Sequence, residues 1–350
     1  MRHFFLICLA SMLVIPLAYA VKVSSLYETA IPVASQSSQD RAQAIPKALE
    51  QVLMKTSGNL NIANNLQVQV ALKQAENLVE EYSYQPAPAS VGLGLPYLLM
   101  LSFDRAGVNR LLKKTSQPVW GGNRPLILVW LVATLSTASA EIVTEDSAGE
   151  LYGLLKQSAE KGGLPVIFPV MDMDDLNQVS VQDVAAMSLP TLIHASQRYA
   201  PDALLIGNLV AMPQGFQSQW KYVQGRSERD WTIAGPTAKE VVSALMMRLN
   251  TTLTQRYVAQ PMVKAQPIEL LVTMQVNGVA QSQDLNVLLR SVKQITGVEN
   301  VQVVQVSSSA VWLEVDIHTA LENFMENVAL IPYLAFKAQG DDKLVYDWDR

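Results

Sequence analysis

Leu126-Ile127-Leu128-Val129-Trp130-Leu131-Val132 is an unbroken apolar run, and residues 203–211 come close to repeating it. Neither run alternates polar with apolar residues, so neither suits a strand with one wet face. Both suit strands covered on two faces, as in a sheet flanked by helices. The first run is also far short of the ~20 apolar residues that a membrane span requires. The chain around them follows the same scheme. Strands are predicted at 126–134 and 164–170, and helices at 147–160, with Leu151, Leu154 and Leu155 on the apolar side, and at 191–199. A hairpin at 217–223 and 228–233 comes next. A long helix then follows Pro236, with Val242, Leu245, Leu249 and Leu253 on one face and Lys239, Arg248 and Gln255 opposite. Residues 124–258 therefore read as an α/β sandwich.

Turn formers bound this stretch: Gln117-Pro118 through Asn123-Arg124-Pro125 before it, Gln260-Pro261 and Gln266-Pro267 after it. Residues 21–118 read as α+β. A strand at 21–33 leads to a capping box at Ser37-Ser38-Gln39-Asp40 and a helix with Ala42, Ile45, Leu49, Val52 and Leu53 on one face, stopped by Gly58. Pro46 inside it implies a kink or a late start. A helix at 70–79, strands at 81–85 and 97–103 and a helix at 106–114 complete the segment. Residues 267–350 give a strand at 268–276, a helix at 284–295, strands at 298–306 and 311–317, a helix at 320–328 and a closing pair at 333–337 and 343–348. This is the β-α-β-β-α-β order of a ferredoxin-like unit. The fold class expected is α/β and α+β, in three consecutive modules.

Met1-Arg2-His3, an apolar stretch from Phe4 to Leu17 and Ala18-Tyr19-Ala20 have the form of a secretory signal, so residues 1–20 are expected to be cleaved after Ala20 and the protein to reach the periplasm. Cys8 lacks the small neighbours of a lipid-attachment site. Cleavage removes Arg2, His3 and Cys8, the chain's single cysteine, which excludes thiol chemistry and disulfides from the mature protein. No transmembrane segment is expected after cleavage. A net charge of −5 carries no electrostatic signature of nucleic-acid binding.

Few residues offer chemistry. His194 and His318 have no Ser or acidic partner at triad spacing and belong to no zinc motif, so they read as structural. Met171-Asp172-Met173-Asp174-Asp175 is the densest acidic cluster and follows a buried strand. Its oxygens could serve Mg²⁺ or Ca²⁺, but it lacks the glycine and glutamate of a calcium loop, and capping of a short helix near Leu176 is the favoured reading. Gly92-Leu93-Gly94 and Gly121-Gly122 lack the rest of a phosphate loop and read as turns. Trp220 and Trp231 form either an aromatic ledge or, preferably, a cover over the core. Asn250-Thr251-Thr252 matches a glycosylation acceptor but falls mid-helix. No catalytic, cofactor-binding or metal-binding residue is assigned, and no cofactor is expected.

Arg41-Ala42-Gln43-Ala44-Ile45-Pro46-Lys47-Ala48-Leu49-Glu50-Gln51-Val52-Leu53, Tyr199-Ala200-Pro201-Asp202-Ala203-Leu204-Leu205-Ile206-Gly207 and Leu344-Val345-Tyr346-Asp347-Trp348, together with the leader, resemble a proteobacterial family of exported proteins classed as a domain of unknown function. The resemblance implies a match over nearly the whole mature chain. The middle segment also resembles α/β domains of periplasmic accessory proteins that assist curli secretion, penicillin-binding proteins or flagellar ring assembly. Neither resemblance supplies site residues. The function expected is that of a non-catalytic periplasmic accessory or scaffold binding other cell-envelope proteins. The alternative is an envelope hydrolase or a small-ligand or divalent-metal binding protein using Asp172, Asp174 and Asp175.

Overall fold

The computed structural model describes residues 25–88, 94–135, 140–146, 149–258, 270–307, 309–340 and 343–349. The expected signal peptide with Cys8, the linker prolines Pro261 and Pro267, and Gly92-Leu93 lie outside the described residues. The α/β and α+β class holds, built on three sheets.

The first sheet has the order β1-β3-β2, with β1 at Glu28–Val33, β2 at Val79–Pro86 and β3 at Tyr97–Phe103, all antiparallel. Helix α1 (Ser38–Ser57) begins where the Ser37 hydroxyl accepts the Asp40 N–H at 3.1 Å. It ends at Gly58, whose φ of 69° is the left-handed conformation that a side chain resists. It runs through Pro46 as one helix. Its buried face is Ala44, Ile45, Ala48, Leu49, Val52 and Leu53, while Ala42, expected there, is exposed. The helix expected at 70–79 is instead α2 (Leu66–Leu72) and a 3₁₀ turn at Ala75–Leu78. The Asn65 side chain caps α2 early by accepting the Gln67 and Val68 N–H groups, and Val79 already belongs to β2. Helix α3 (Arg105–Lys114) closes this part.

The middle sheet has the order β5-β4-β7-β8-β9, with β6 also on β4. Its strands are β4 (Ile127–Thr134), β5 (Glu141–Ile142), β6 (Val166–Ile167), β7 (Ala203–Met212), β8 (Gly215–Gln224) and β9 (Ser227–Gly235). Strands β4 and β7 are parallel, and β7-β8-β9 is an antiparallel meander. The apolar run does what its composition demands. Ile127, Val129, Leu131 and Ala133 face one core with α4 (Gly149–Lys161) and α8 (Ala238–Tyr257), while Leu128, Trp130 and Val132 face another with α6 (Val181–Ala185) and α7 (Leu189–Ser196). The strand expected at 164–170 shrinks to the two residues of β6. Pro169 offers no ladder N–H, and Met171 turns the chain with φ 56° into α5 (Met173–Gln178). Trp220 lies directly opposite Trp231. Its ring covers Gly207, where a Cβ would come within 2.3 Å of it, so the pair covers the core rather than forming a ledge.

The last sheet comprises β10 (Leu270–Asn277), β11 (Val298–Val306), β12 (Ala310–Ile317), β13 (Leu334–Gln339) and β14 (Lys343–Trp348), in the order β11-β12-β10-β14-β13. Helices α9 (Ser282–Lys293) and α10 (Leu321–Val328) contribute to its core through Leu288, Val292, Phe324 and Val328. The first three strands take the ferredoxin-like arrangement. The fourth place differs: β14 fills it, parallel to β10, and its hairpin partner β13 becomes the outer edge.

Arg124 ties the first two sheets together. It is 1% exposed, lies 4.0 Å from the Trp120 ring centre, and donates to the carbonyls of Gly121, Gly162, Gly163, Lys55 and Trp120. Burial lowers its pKa to about 9, which leaves it charged at neutral pH. Five carbonyl dipoles offset the cost of burying that charge without a carboxylate. The middle and last sheets are joined by the Arg256–Glu326 fork, with two 2.9 Å bonds, and by Asn327 Nδ2 donating to the Tyr257 carbonyl at 3.0 Å.

Candidate functional site

Asp172 does what its position before a helix implies. It caps α5, accepting the Asp174 and Asp175 N–H groups at 3.1 and 3.2 Å. Arg198, just beyond α7, then closes on the cluster, with bonds of 2.6 and 2.7 Å to the two Asp172 oxygens and 3.2 Å to Asp175. Asp175 is fully buried and also receives the Met171 N–H at 2.9 Å and the Tyr199 hydroxyl. The Arg198 bond, more than any other contact, pulls the Asp172 pKa down to about 2. Two of the three carboxylates are thereby engaged by the protein itself. Among the described residues no three His, Cys, Asp or Glu side chains converge as a metal's ligands would. His194 is exposed on α7, and Asn250 is buried in α8 beside Gly162, where no acceptor site is accessible.

His318 is placed differently. It stands at the end of β12, half-buried, on a cleft of about 710 Å³ between α3 and the turn that follows α9. Its Nε2 contacts Glu299, the carboxylate on the cleft wall, and its backbone N–H donates to the Gly297 carbonyl at 2.7 Å. The facing wall is α3. The apolar side of this helix, Val108 and Leu112, enters the first core, and the adjoining stripe of Arg105, Asn109 and Lys113 lines the cleft. Tyr27 steadies that stripe, donating to Asn109 Oδ1 at 2.9 Å and lying under the Arg105 guanidinium at 5.6 Å. Lys293 comes from the end of α9 opposite. The two walls meet where the Gly121 N–H donates to Thr296 Oγ1 at 2.9 Å, the glycine lying so close that a Cβ would reach 2.9 Å from the Gln294 carbonyl.

Among the described residues, no carboxylate lies within ion-pair distance of Arg105, Lys113 or Lys293, while Arg110 on the same helix is paired with Asp104 at 3.5 Å. Lys113 and Lys293 each sit in the last turn of a helix, where a cation complements the dipole. Arg105 is in the first turn, where the dipole opposes it, so helix stability does not account for its place. The i, i+4, i+8 spacing of Arg105, Asn109 and Lys113 is readable in the sequence. The wall opposite comes from residues 293–299 and 318, and nothing local announces that pairing.

A family model described as a domain of unknown function, DUF8605, matches residues 20–121. The match is narrower than the whole-chain resemblance expected. It spans the first sheet, α1–α3 and the segment up to Gly121, and hence one wall of the cleft and not the other. No curated protein matches the chain. Among solved structures, TolB from Acinetobacter baumannii aligns at 9% identity over 39% of this chain and 29% of that one, with a TM-score of 0.22. That degree of likeness assigns neither fold nor function. No helix among the described residues is long and apolar enough to cross a membrane.

Proposed function

We propose that this chain is a non-catalytic binding protein of the cell envelope, and that the cleft between α3 and the α9 turn is where a partner protein engages. The observation that carries this reading is the cleft's composition. Its carboxylate, Glu299, is occupied by His318, while three cations and the amides of Asn109 and Gln294 are presented toward a volume of about 710 Å³. Groups of this kind hold a ligand by charge and hydrogen bonding. The periplasmic location rests on the leader-like residues Met1 to Ala20. A division into modules at 21–118, 124–258 and 267–350 is supported by a main apolar cluster for each sheet, with Leu60 and Leu330 packing across onto the middle one. The alternative built on Asp172, Asp174 and Asp175 gains nothing from a geometry in which Arg198 and the α5 N-terminus take up the oxygens.

Site-specific photo-cross-linking in intact cells tests the proposal. A photoreactive residue at Gln294 is expected to give discrete adducts with another protein, and one at the exposed Arg248 of α8 is not. Equal adducts at both positions, or none at Gln294, would refute it.

A further inference from the structure

Taking the cleft as the binding site, we infer that what it receives is an acidic, extended segment of the partner chain. Arg105 and Lys113 stand two turns apart on one face of α3, a span of about 12 Å at ~1.5 Å rise per residue. An extended peptide covers that span in about four residues at ~3.3 Å each, which places carboxylates at both ends of α3 and a third within reach of Lys293. The protein as a whole is acidic, with a net charge of −5, so cations without carboxylate partners, gathered in one concavity, create a local field opposite to that of the rest of the molecule.

The remainder of the lining selects peptide over phosphate. Gln294 and the Nδ2 of Asn109, whose Oδ1 is held by Tyr27, offer amide groups that pair with a peptide backbone, and Val119 and Val298 supply apolar contact between the charges. The cations are spread singly along the walls rather than forked together, which suits carboxylates spaced along a chain better than one dense phosphate group.

Fluorescence anisotropy on the full chain decides the matter, with a labelled Glu/Ser peptide, its Gln/Ser counterpart and inorganic polyphosphate as probes. The Glu/Ser peptide is expected to bind and the Gln/Ser peptide not. Binding should weaken as salt screens the charges. The triple variant Arg105→Gln, Lys113→Gln, Lys293→Gln should bind about ten- to a hundredfold more weakly, as expected for the loss of three exposed ion pairs. Glu299→Gln, which removes the carboxylate on the wall, should tighten binding. Failure of the Glu/Ser peptide to bind, binding insensitive to salt or to the triple variant, or binding of polyphosphate alone would each overturn the inference. If Gln294 still cross-links a protein in any of those cases, the docking site stands and only its acidic ligand falls.

Discussion

Asp172, Asp174 and Asp175 crowd one turn of chain and Arg198 lies within 4 Å of all three, whereas Arg105, Lys113 and Lys293 come from two distant segments and meet no carboxylate among the described residues. The acidic cluster is the more conspicuous in the sequence, yet its charge is spent on local structure: a helix cap, a bidentate arginine and the hydroxyl of half-buried Tyr199. The cations of the cleft are scattered in the sequence and converge only through the fold. Charge density along a chain is thus a poor guide to a binding site; the guide is whether the charge already has a partner.

Arg124 is the extreme case of charge satisfied from within, and its loss should cost most. Arg124→Ala strands the carbonyls of Lys55 in α1, of Gly162 and Gly163 after α4 and of Trp120 and Gly121 between them, and empties a stacked position on Trp120. Unfolding free energy measured by denaturant titration is expected to fall by about 3–5 kcal/mol, as for the loss of a large buried side chain that leaves several buried carbonyls unpaired. Next is Asp175→Ala, which deprives Tyr199, the Met171 N–H and Arg198 of a buried acceptor and should cost about 2 kcal/mol in the same experiment. Acid offers a gentler break. Asp172 is held at about 2, below the ~3.9 of a free aspartate, so its contribution is complete above about pH 4 and is lost as pH falls toward 2. Hydrogen exchange or NMR should show the Asp174 and Asp175 amides losing protection over that interval while α3, on the far side of the comparison, is unchanged.

The middle sheet was the most legible part of the molecule, because a strand buried on both faces leaves an apolar run that no other structure explains. The long helix α8 was legible for a similar reason, with Val242, Leu245, Leu249 and Leu253 marking its buried side. Short elements were not. Helix α6 and strand β5 are too brief to show a period, and α2 opens on Leu66, Val68 and Val70 in strand-like alternation, its helical start set by the Asn65 cap. The parallel placement of β14 beside β10 depends on tertiary pairing and has no local signature. His318 was legible as a residue at a strand end. Its contact with Glu299 and its position opposite α3 arise from three segments whose approach the sequence does not record.

The central claim is that paired charge here serves the fold and unpaired charge serves recognition. Its most direct test is the double reversal Lys113→Glu, Lys293→Glu, carrying the cross-linker at Gln294 and measured for both melting temperature and adduct formation. The account predicts a melting temperature within about 5 °C of the parent, the cost of opposing two helix dipoles at exposed ends, together with loss of the cross-linked protein. Adducts undiminished by the reversal, or a large drop in melting temperature, would contradict it.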